Sequence, residues 1–392
     1  MNTLTVQQSR VGPVRGRHPW VFSGALAAIP EGLKSGDLVI LADPTGVFLA
    51  QGYFNSYSQI AVRLWSWEQG EVIDQNFFSK RIRAALKSRE QLIASKRTNA
   101  YRVVYAENDL LPGLVVDRYA DYAVVQFHTA GIAAWKKQIV AALVEVLGPT
   151  GIYERSDVKN REREANEEKN NVLYGSVPEQ IKIKENGLTF IVDVRGGQKT
   201  GFFLDQRDKR LALQKYVKDK KVLNCFSYTG GFSVYALAAG ASSVVSVDSS
   251  EPALELAEKN IAANKLPADR CEFILADVKQ YLQGQEQGAF EVIVLDPPAF
   301  VKDRHKIKEG LQGYRKINEL ALRILPENGI LVTASCSAHV TLADFRFMLS
   351  EAAARAGRTV QILETFTHGI DHPELVAFTE GEYLKCFFVK VI

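Results

Sequence analysis

From about residue 186 onward the chain keeps to one grammar: a short apolar run, then a helical segment, repeated to the end. Apolar runs occupy residues 222–226, 243–247, 271–275, 291–295, 329–334, 360–365 and 383–391. Helical spacing fills most of the intervals, at 232–239, 252–264, 279–282, 310–324 and 342–356. Strands joined through helices pair in parallel, and a parallel sheet must be covered on both faces. The pattern therefore predicts an α/β, doubly wound, mostly parallel seven-stranded sheet, with ligands bound outside the carboxyl ends of its strands. No helix separates the last two runs. They are expected to form a hairpin that leaves one antiparallel strand, the last, at the sheet edge.

The first part of the chain follows other rules. Short alternating runs at 36–43, 46–54 and 60–65 are punctuated by Gly and Pro every ten residues or so, which predicts a small β-barrel or sandwich over residues 1–75. The period turns helical around 77–95, and runs at 101–105, 114–119, 122–127 and 151–155 read as strands, with a helix at 133–147. Residues 76–185 are thus expected to form a linking helix and a middle α+β domain, and residues 186–392 the doubly wound domain. The polar, highly charged stretch 157–171 reads as a mobile loop.

Composition narrows the function class. No window approaches the roughly 18 consecutive apolar residues of a membrane span, and the first twenty residues lack a long apolar segment. A cytoplasmic protein without membrane contact is expected. Cys225, Cys271, Cys336 and Cys386 show no metal-ligand spacing, which argues against zinc and against a disulfide scaffold. The net charge of +3 says little, but its distribution says more. Residues 80–97 carry seven cations against Glu90 alone, and residues 302–316 carry six (Lys302, Arg304, Lys306, Lys308, Arg315, Lys316) against two anions. Basic blocks of this kind suit a polyanion, although a solvated helix face reads the same way over 80–97.

The first strand of the repeated domain empties into Asn224-Cys225-Phe226-Ser227-Tyr228-Thr229-Gly230-Gly231. Glycines at a strand-to-helix turn let the backbone approach a ligand, and the helix beyond offers free N–H groups. The spacing is not the G-x-G-x-x-G of a dinucleotide site, which disfavours a dehydrogenase. Asp248 ends the second strand, where an acid commonly accepts ribose hydroxyls, and Asp277 follows the third, where a carboxylate can take an adenine amino hydrogen. Either acid alone reads equally well as a helix N-cap. Together with the glycine turn, on three successive strands, they make Asn224, Phe226, Ser227, Thr229, Gly230, Gly231, Asp248 and Asp277 candidate cofactor residues.

The fourth strand ends in Asp296-Pro297-Pro298-Ala299-Phe300 and the fifth in Ser335-Cys336-Ser337. An acid and a thiol at the ends of adjacent strands are two groups that C5 alkylation of a pyrimidine needs. Cytosine C5 is a poor nucleophile. A thiolate adding to C6, with an acid holding the N3 edge, turns C5 into an enamine-like carbon. Pro297 and Pro298 give a rigid wall lacking N–H donors, and Phe300 is placed either to stack on a base or to serve as a core aromatic.

These residues resemble the class I methyltransferases that use S-adenosylmethionine. Upstream, Lys199-Thr200-Gly201-Phe202-Phe203-Leu204-Asp205-Gln206-Arg207 is similar to the KTG-x-x-LDQR signature of a family of bacterial 23S rRNA cytosine-C5 methyltransferases, in which a PUA barrel and a middle domain precede a Rossmann-like domain. Arg17-His18-Pro19-Trp20 and Tyr153-Glu154-Arg155-Ser156-Asp157 resemble its earlier domains. The resemblance covers essentially the whole chain. It implies S-adenosylmethionine as cofactor, Asp205, Gln206 and Arg207 as further cofactor residues, and Lys199, Pro297, Pro298, Phe300, Lys302 and Arg304 as substrate contacts. It also implies 23S rRNA as partner, with a single-stranded or flipped cytosine entering the pocket, and no metal. Cys336 and Asp296 become the catalytic pair.

The chain departs from the two-cysteine pattern of RNA methyltransferases at Ala299, which leaves the acceptor of the C5 proton unassigned; His372 of Asp371-His372-Pro373 is a candidate with a competing structural reading. Two other readings stay open. One is a methyltransferase of the same fold acting on guanine N7 or an exocyclic amine, and the other a non-catalytic RNA-binding assembly factor. Monomer and homodimer are equally compatible with the chain.

Overall fold

The apolar runs of the second half pair as a seven-stranded sheet in the computed structural model, which describes residues 2–156, 170–301 and 303–392. The strands are β13 (Lys221–Cys225), β14 (Ser243–Asp248), β15 (Cys271–Leu275), β16 (Val292–Leu295), β17 (Ile330–Ser335), β18 (Val360–Phe366) and β19 (Lys385–Val391). Their spatial order is β15-β14-β13-β16-β17-β19-β18. The first five are mutually parallel, whereas β19 runs antiparallel to both neighbours. The expected hairpin is present, but its antiparallel strand is not the edge strand. β19 slides between β17 and β18, so that its apolar Phe387, Phe388 and Val389 are buried on both faces and the half-exposed β18 takes the rim.

Register brings the strand ends level. Cys225 lies opposite both Val247 and Leu295, Asp248 opposite Leu275, and Leu295 opposite Thr333. The loops after these strands therefore share one rim. Strand order reverses between β13 and β16, the position where open α/β sheets bind ligands. Helices Ile307–Ile324 and Leu342–Ala356 cover one face through a core that includes Leu223, Ile293, Leu331, Tyr314, Phe345 and Phe387. Burying each aliphatic or Phe side chain contributes roughly 1.5–3 kcal/mol.

By its contacts the chain divides into two compact units, Met1–Ile181 with Val192–Leu204 and Ile370–Gly381, and Lys182–Ile191 with Asp205–Gly369 and Glu382–Ile392. The first unit holds two sheets. β1 (Asn2–Thr5), β2 (Trp20–Phe22), β3 (Leu38–Ala42), β4 (Phe48–Phe54) and β5 (Ile60–Ser66) form one, in the order β1-β3-β4-β5-β2. β6 (Ala100–Tyr105), β7 (Leu114–Tyr119), β8 (Tyr122–Phe127), β9 (Gly151–Arg155) and β10 (Asn170–Gly175) form the other, in the order β10-β9-β8-β7-β6. Tyr53 joins them, its hydroxyl donating to the Pro112 carbonyl at 3.1 Å.

The helical period expected over 77–95 is real but broken. Asp74 caps the helix Gln75–Lys87 by accepting the Phe77 N–H, and a short helix, Glu90–Ala94, follows. Arg89 sits between them, 0% exposed, with its guanidinium donating to both Asp109 oxygens at 2.8 and 2.6 Å. Of the loop expected over 157–171, residues 157–169 lie outside the described residues, and Asn170 and Asn171 open β10 rather than a loop.

One pair of strands had no counterpart in the expected elements. β11 (Gln180–Glu185) and β12 (Leu188–Asp193) form a hairpin whose two-residue turn, Asn186-Gly187, has both φ angles positive, at 51° and 89°. That is the backbone an Asn-Gly turn favours. The outer edge of β12 is capped by side chains: the Thr189 N–H donates to Asn264 Oδ1 at 2.8 Å, and the Ile191 N–H to Asn260 Oδ1 at 2.7 Å.

Candidate active site on the sheet rim

The loop after β13 carries the strongest backbone signature in the second unit. Phe226, Tyr228 and Gly230 all have positive φ, at 58°, 47° and 74°. Two of these are aromatic residues in a conformation that disfavours a bulky Cβ, and such strain persists where a ligand loop is held in place. The anchors are visible. Tyr228 N–H donates to Asp248 Oδ2 at 2.8 Å, Ser227 N–H to the Val247 carbonyl at 3.1 Å, and the Thr229 carbonyl accepts Asn260 Nδ2 at 2.9 Å. Gly230 is obligatory, since a Cβ there would lie 2.8 Å from the Ala257 Cβ. The loop then opens the helix Gly231–Ala238, whose first N–H groups face the rim.

The candidate cofactor residues separate on inspection. Phe226, Ser227, Thr229, Gly230 and Gly231 make the loop itself. The Ser227 hydroxyl is buried without a hydrogen-bond partner, so this loop holds an unsatisfied polar atom of the kind a polar ligand would complete. Asp248 is half-buried and also accepts the Ser250 N–H at 3.0 Å. Asp277 is exposed and caps the helix Val278–Gln283 by accepting the Gln280 N–H, so the capping role is present at the rim position expected for it. Asn224 is turned inward: its amide donates to Ser233 Oγ at 2.9 Å, and that hydroxyl meets Ser246 Oγ at 2.7 Å. The side chain packs strand against helix, because alternation along β13 sends residue 224 to the helix side.

The KTG-x-x-LDQR string is shared between units. Lys199, exposed and with φ of 52°, lies in the first unit with its ammonium 4.5 Å from the centre of the Phe203 ring. Thr200 is buried there and donates to Asp117, which also takes both arms of Arg102. Asp205, Gln206 and Arg207 belong to the second unit and are all buried. Asp205 accepts the Tyr383 hydroxyl, and Arg207 lies 3.4 Å from Asp208. Gln206, expected among the cofactor residues, donates its amide N–H to Asp296 Oδ1 at 2.7 Å. That places it behind the carboxylate at the end of β16.

Asp296 is half-buried on the rim, and the turn after it is cross-braced to the turn after β17. Val301 N–H donates to Ser337 Oγ at 3.2 Å, Tyr314 Oη meets Ser337 Oγ at 2.9 Å, and Phe300 N–H donates to Tyr314 Oη at 3.4 Å. Burial raises the Tyr314 phenol above its ordinary value, which keeps it neutral in this network. Phe300, half-buried, packs on the Tyr314 ring at 4.7 Å between centroids, against the edge of the core. Pro297 is buried and Pro298 exposed.

Cys336 follows β17 directly and is half-exposed, its Sγ 3.8 Å from the Pro297 carbonyl oxygen. The acid-bearing and thiol-bearing turns thus meet. Burial pushes the thiols of Cys225 and Cys386 far up and that of Cys271 up to about 11, as expected of inert cysteines in apolar strands. His372 lies in the first unit, 2% exposed, with Nδ1 3.2 Å from Asp371 Oδ1. Asp371 in turn accepts the Arg102 N–H at 3.1 Å, so the Asp371-His372 string has a structural role there. Among the described residues, no group of three or more His, Cys, Asp or Glu side chains is arranged to hold a metal ion, and no helix is long and apolar enough to cross a membrane.

The basic blocks resolve unequally. Arg304, Lys306 and Lys308 are exposed at the start of helix Ile307–Ile324, while Lys302 lies outside the described residues. In residues 80–97, Arg89 is buried against Asp109, Arg83 pairs with Glu145, and Arg81 donates to the Trp65 carbonyl. Those three cations serve the fold.

Residues 154–385 match the S-adenosylmethionine-dependent methyltransferase family, and residues 4–67 match the PUA-like domain. The chain belongs to this methyltransferase family. A ribosomal RNA large subunit methyltransferase I from Tolumonas auensis is 43% identical over 100% of this chain and 99% of its own length. One from Escherichia coli O157:H7 is 41% identical over 99% of both. Among solved structures, a candidate SAM-dependent methyltransferase from Streptococcus mutans has a TM-score of 0.85 at 26% identity, covering all of both chains. A candidate methyltransferase complexed with SAH has a TM-score of 0.86 at 26% identity with the same coverage. An S-adenosylmethionine-dependent enzyme with an N-terminal PUA-like domain and a Rossmann-like sheet accounts for the fold throughout. The positive-φ loop, the buried Ser227 hydroxyl and the rim acid Asp248 fit such a cofactor.

The supporting residues that sequence reasoning passed over are Tyr314, Ser337 and Lys385. One of them left a signal: Lys385 interrupts an apolar strand yet is 1% exposed, and a buried lysine needs a reason.

Proposed function

We propose that this methyltransferase acts on C5 of a cytosine in large-subunit (23S) ribosomal RNA, with Cys336 as nucleophile and Asp296 as the group that holds the base. The observation that carries the reading is the meeting of the two turns: a half-exposed thiol 3.8 Å from the carbonyl of the residue that follows the rim carboxylate. An enzyme for guanine N7 or an exocyclic amine has no use for a thiol there. The curated relatives named for ribosomal RNA of the large subunit support the same substrate.

In this mechanism the Cys336 thiolate adds to C6, and the electron pair of the C5–C6 double bond moves toward C5 while Asp296 bonds the N3/N4 edge. Gln206 orients that carboxylate. The cofactor, when bound, supplies an electrophilic sulfonium methyl, and the Phe226–Gly231 loop with Asp248 would hold it. C5 takes the methyl group, leaving the spent cofactor as a neutral thioether, and loss of the C5 proton to a base then restores the C5–C6 double bond as the bond between Cys336 Sγ and C6 breaks and the thiolate leaves. The cytosine enters single-stranded or flipped, since the rim turns cannot reach a stacked base. Arg304, Lys306 and Lys308 with the PUA-like domain supply phosphate and shape contacts in a cytoplasmic setting. Mass mapping of 23S rRNA from cells lacking the gene is expected to show one 5-methylcytidine replaced by cytidine. An unchanged map overturns the reading.

A further inference from the structure

Lys385 lies on β19 opposite Ser335 of β17, the residue before Cys336. Its side chain is 1% exposed. The ammonium reaches into the turn that follows β17, donating to the Ser337 carbonyl at 2.8 Å and to the Val340 carbonyl at 2.5 Å. A methionine or leucine would fill this volume without desolvating a charge. The groups that act on the ammonium, in order, are Glu382, Cys336 and Asp344, all favouring the charged form against burial. From the helix Ile307–Ile324, Tyr314 meets Ser337 Oγ on the same turn, and burial keeps its phenol neutral. His339 is half-exposed on the turn itself. Burial lowers Lys385 only to about 8, so it remains a cation at neutral pH.

We propose that Lys385 is the positioning residue of Cys336: its ammonium clasps the turn that presents the thiol and supplies the positive charge that favours the thiolate. The inference rests on Cys336 being the nucleophile. It adds an antiparallel strand to the site, since β19, drawn in beside β17, delivers a positive charge to the rim. A thiolate next to a fixed cation is the arrangement by which reactive cysteines are set apart from inert ones.

The test is the pH dependence of iodoacetamide alkylation of Cys336 in the full-length protein, followed by peptide mass. Wild type is expected to show a midpoint at least about one unit below the roughly 8.5 of an ordinary cysteine. Lys385→Arg keeps the low midpoint, and Lys385→Met returns it to about 8.5 or above. A wild-type midpoint at or above 8.5 overturns the proposal without any variant, and so does a Lys385→Met midpoint equal to that of wild type. A purely structural strap would lower melting temperature in the methionine variant and leave the midpoint where it was. A low midpoint in a wild-type protein that forms no adduct with 5-fluorocytidine RNA upholds the role of Lys385 and strikes only the cytosine reading.

Discussion

The two halves of the seven-stranded sheet build their rims differently. On the β13-β14-β15 side the groups are held by nearer stretches of chain: Tyr228 N–H reaches Asp248 twenty residues on, Gly230 sits in its left-handed turn, and Asp277 caps the helix it precedes. On the β16-β17-β19 side the groups are held from afar. Gln206 is 90 residues from the Asp296 it orients, Ser337 is 36 from the Val301 amide it accepts, and Lys385 is 48 from the carbonyl it grips. The proposed cofactor side thus rests on contacts closer in the chain, and the proposed base side on more distant ones.

That contrast makes separable expectations. The largest concerns Cys336→Ala, which is expected to lower methyl transfer by at least about a thousandfold while leaving S-adenosylmethionine affinity within twofold by calorimetry. Equal loss of both would merge the two halves. Asp296→Asn should follow, with a rate loss on the order of a hundredfold and cofactor binding again intact. The opposite signature belongs to Gly230→Ala. Its positive φ and the Ala257 contact predict a penalty of about 1–2 kcal/mol, read as lost stability and weaker cofactor binding. A Gly230→Ala protein with wild-type melting and cofactor affinity would remove the loop from the cofactor side. The smallest effect is expected for Arg304→Gln, Lys306→Gln and Lys308→Gln together. Each lost phosphate contact should reduce the slope of log affinity against log salt by about 0.7 for single-stranded RNA. An unchanged slope would take this helix start out of the RNA path.

The same contrast decides what could be read from the chain before its structure. The glycine loop and its rim acid were legible because strand, turn and acid are neighbours in sequence, as at residues 222–231 and 243–248. Asp296 and Cys336 were legible too, each ending an apolar run. The orientation of Asn224 was hidden because its amide turns toward Ser233, a fact that depends on which face the helix covers. Phe300 was ambiguous in sequence, and only Tyr314, fourteen residues on, assigns its face. The position of β19 was hidden because a hairpin fixes which strands pair but not which of them meets β17. The Asn186-Gly187 hairpin is a different case, since its turn signal and the alternation of Ile181, Ile183 and Glu185 inward were present to be read.

In the proposed mechanism Cys336 attacks the base while Asp296 holds it. Incubation of the wild-type protein with S-adenosylmethionine and large-subunit RNA containing 5-fluorocytidine, which has no C5 proton to lose, tests it most directly. A stable covalent protein–RNA adduct is expected, with a mass that maps to the peptide bearing Cys336, and it is absent from Cys336→Ala. Methylated ordinary RNA without any adduct on the fluorinated RNA, or an adduct that persists in Cys336→Ala, would contradict it.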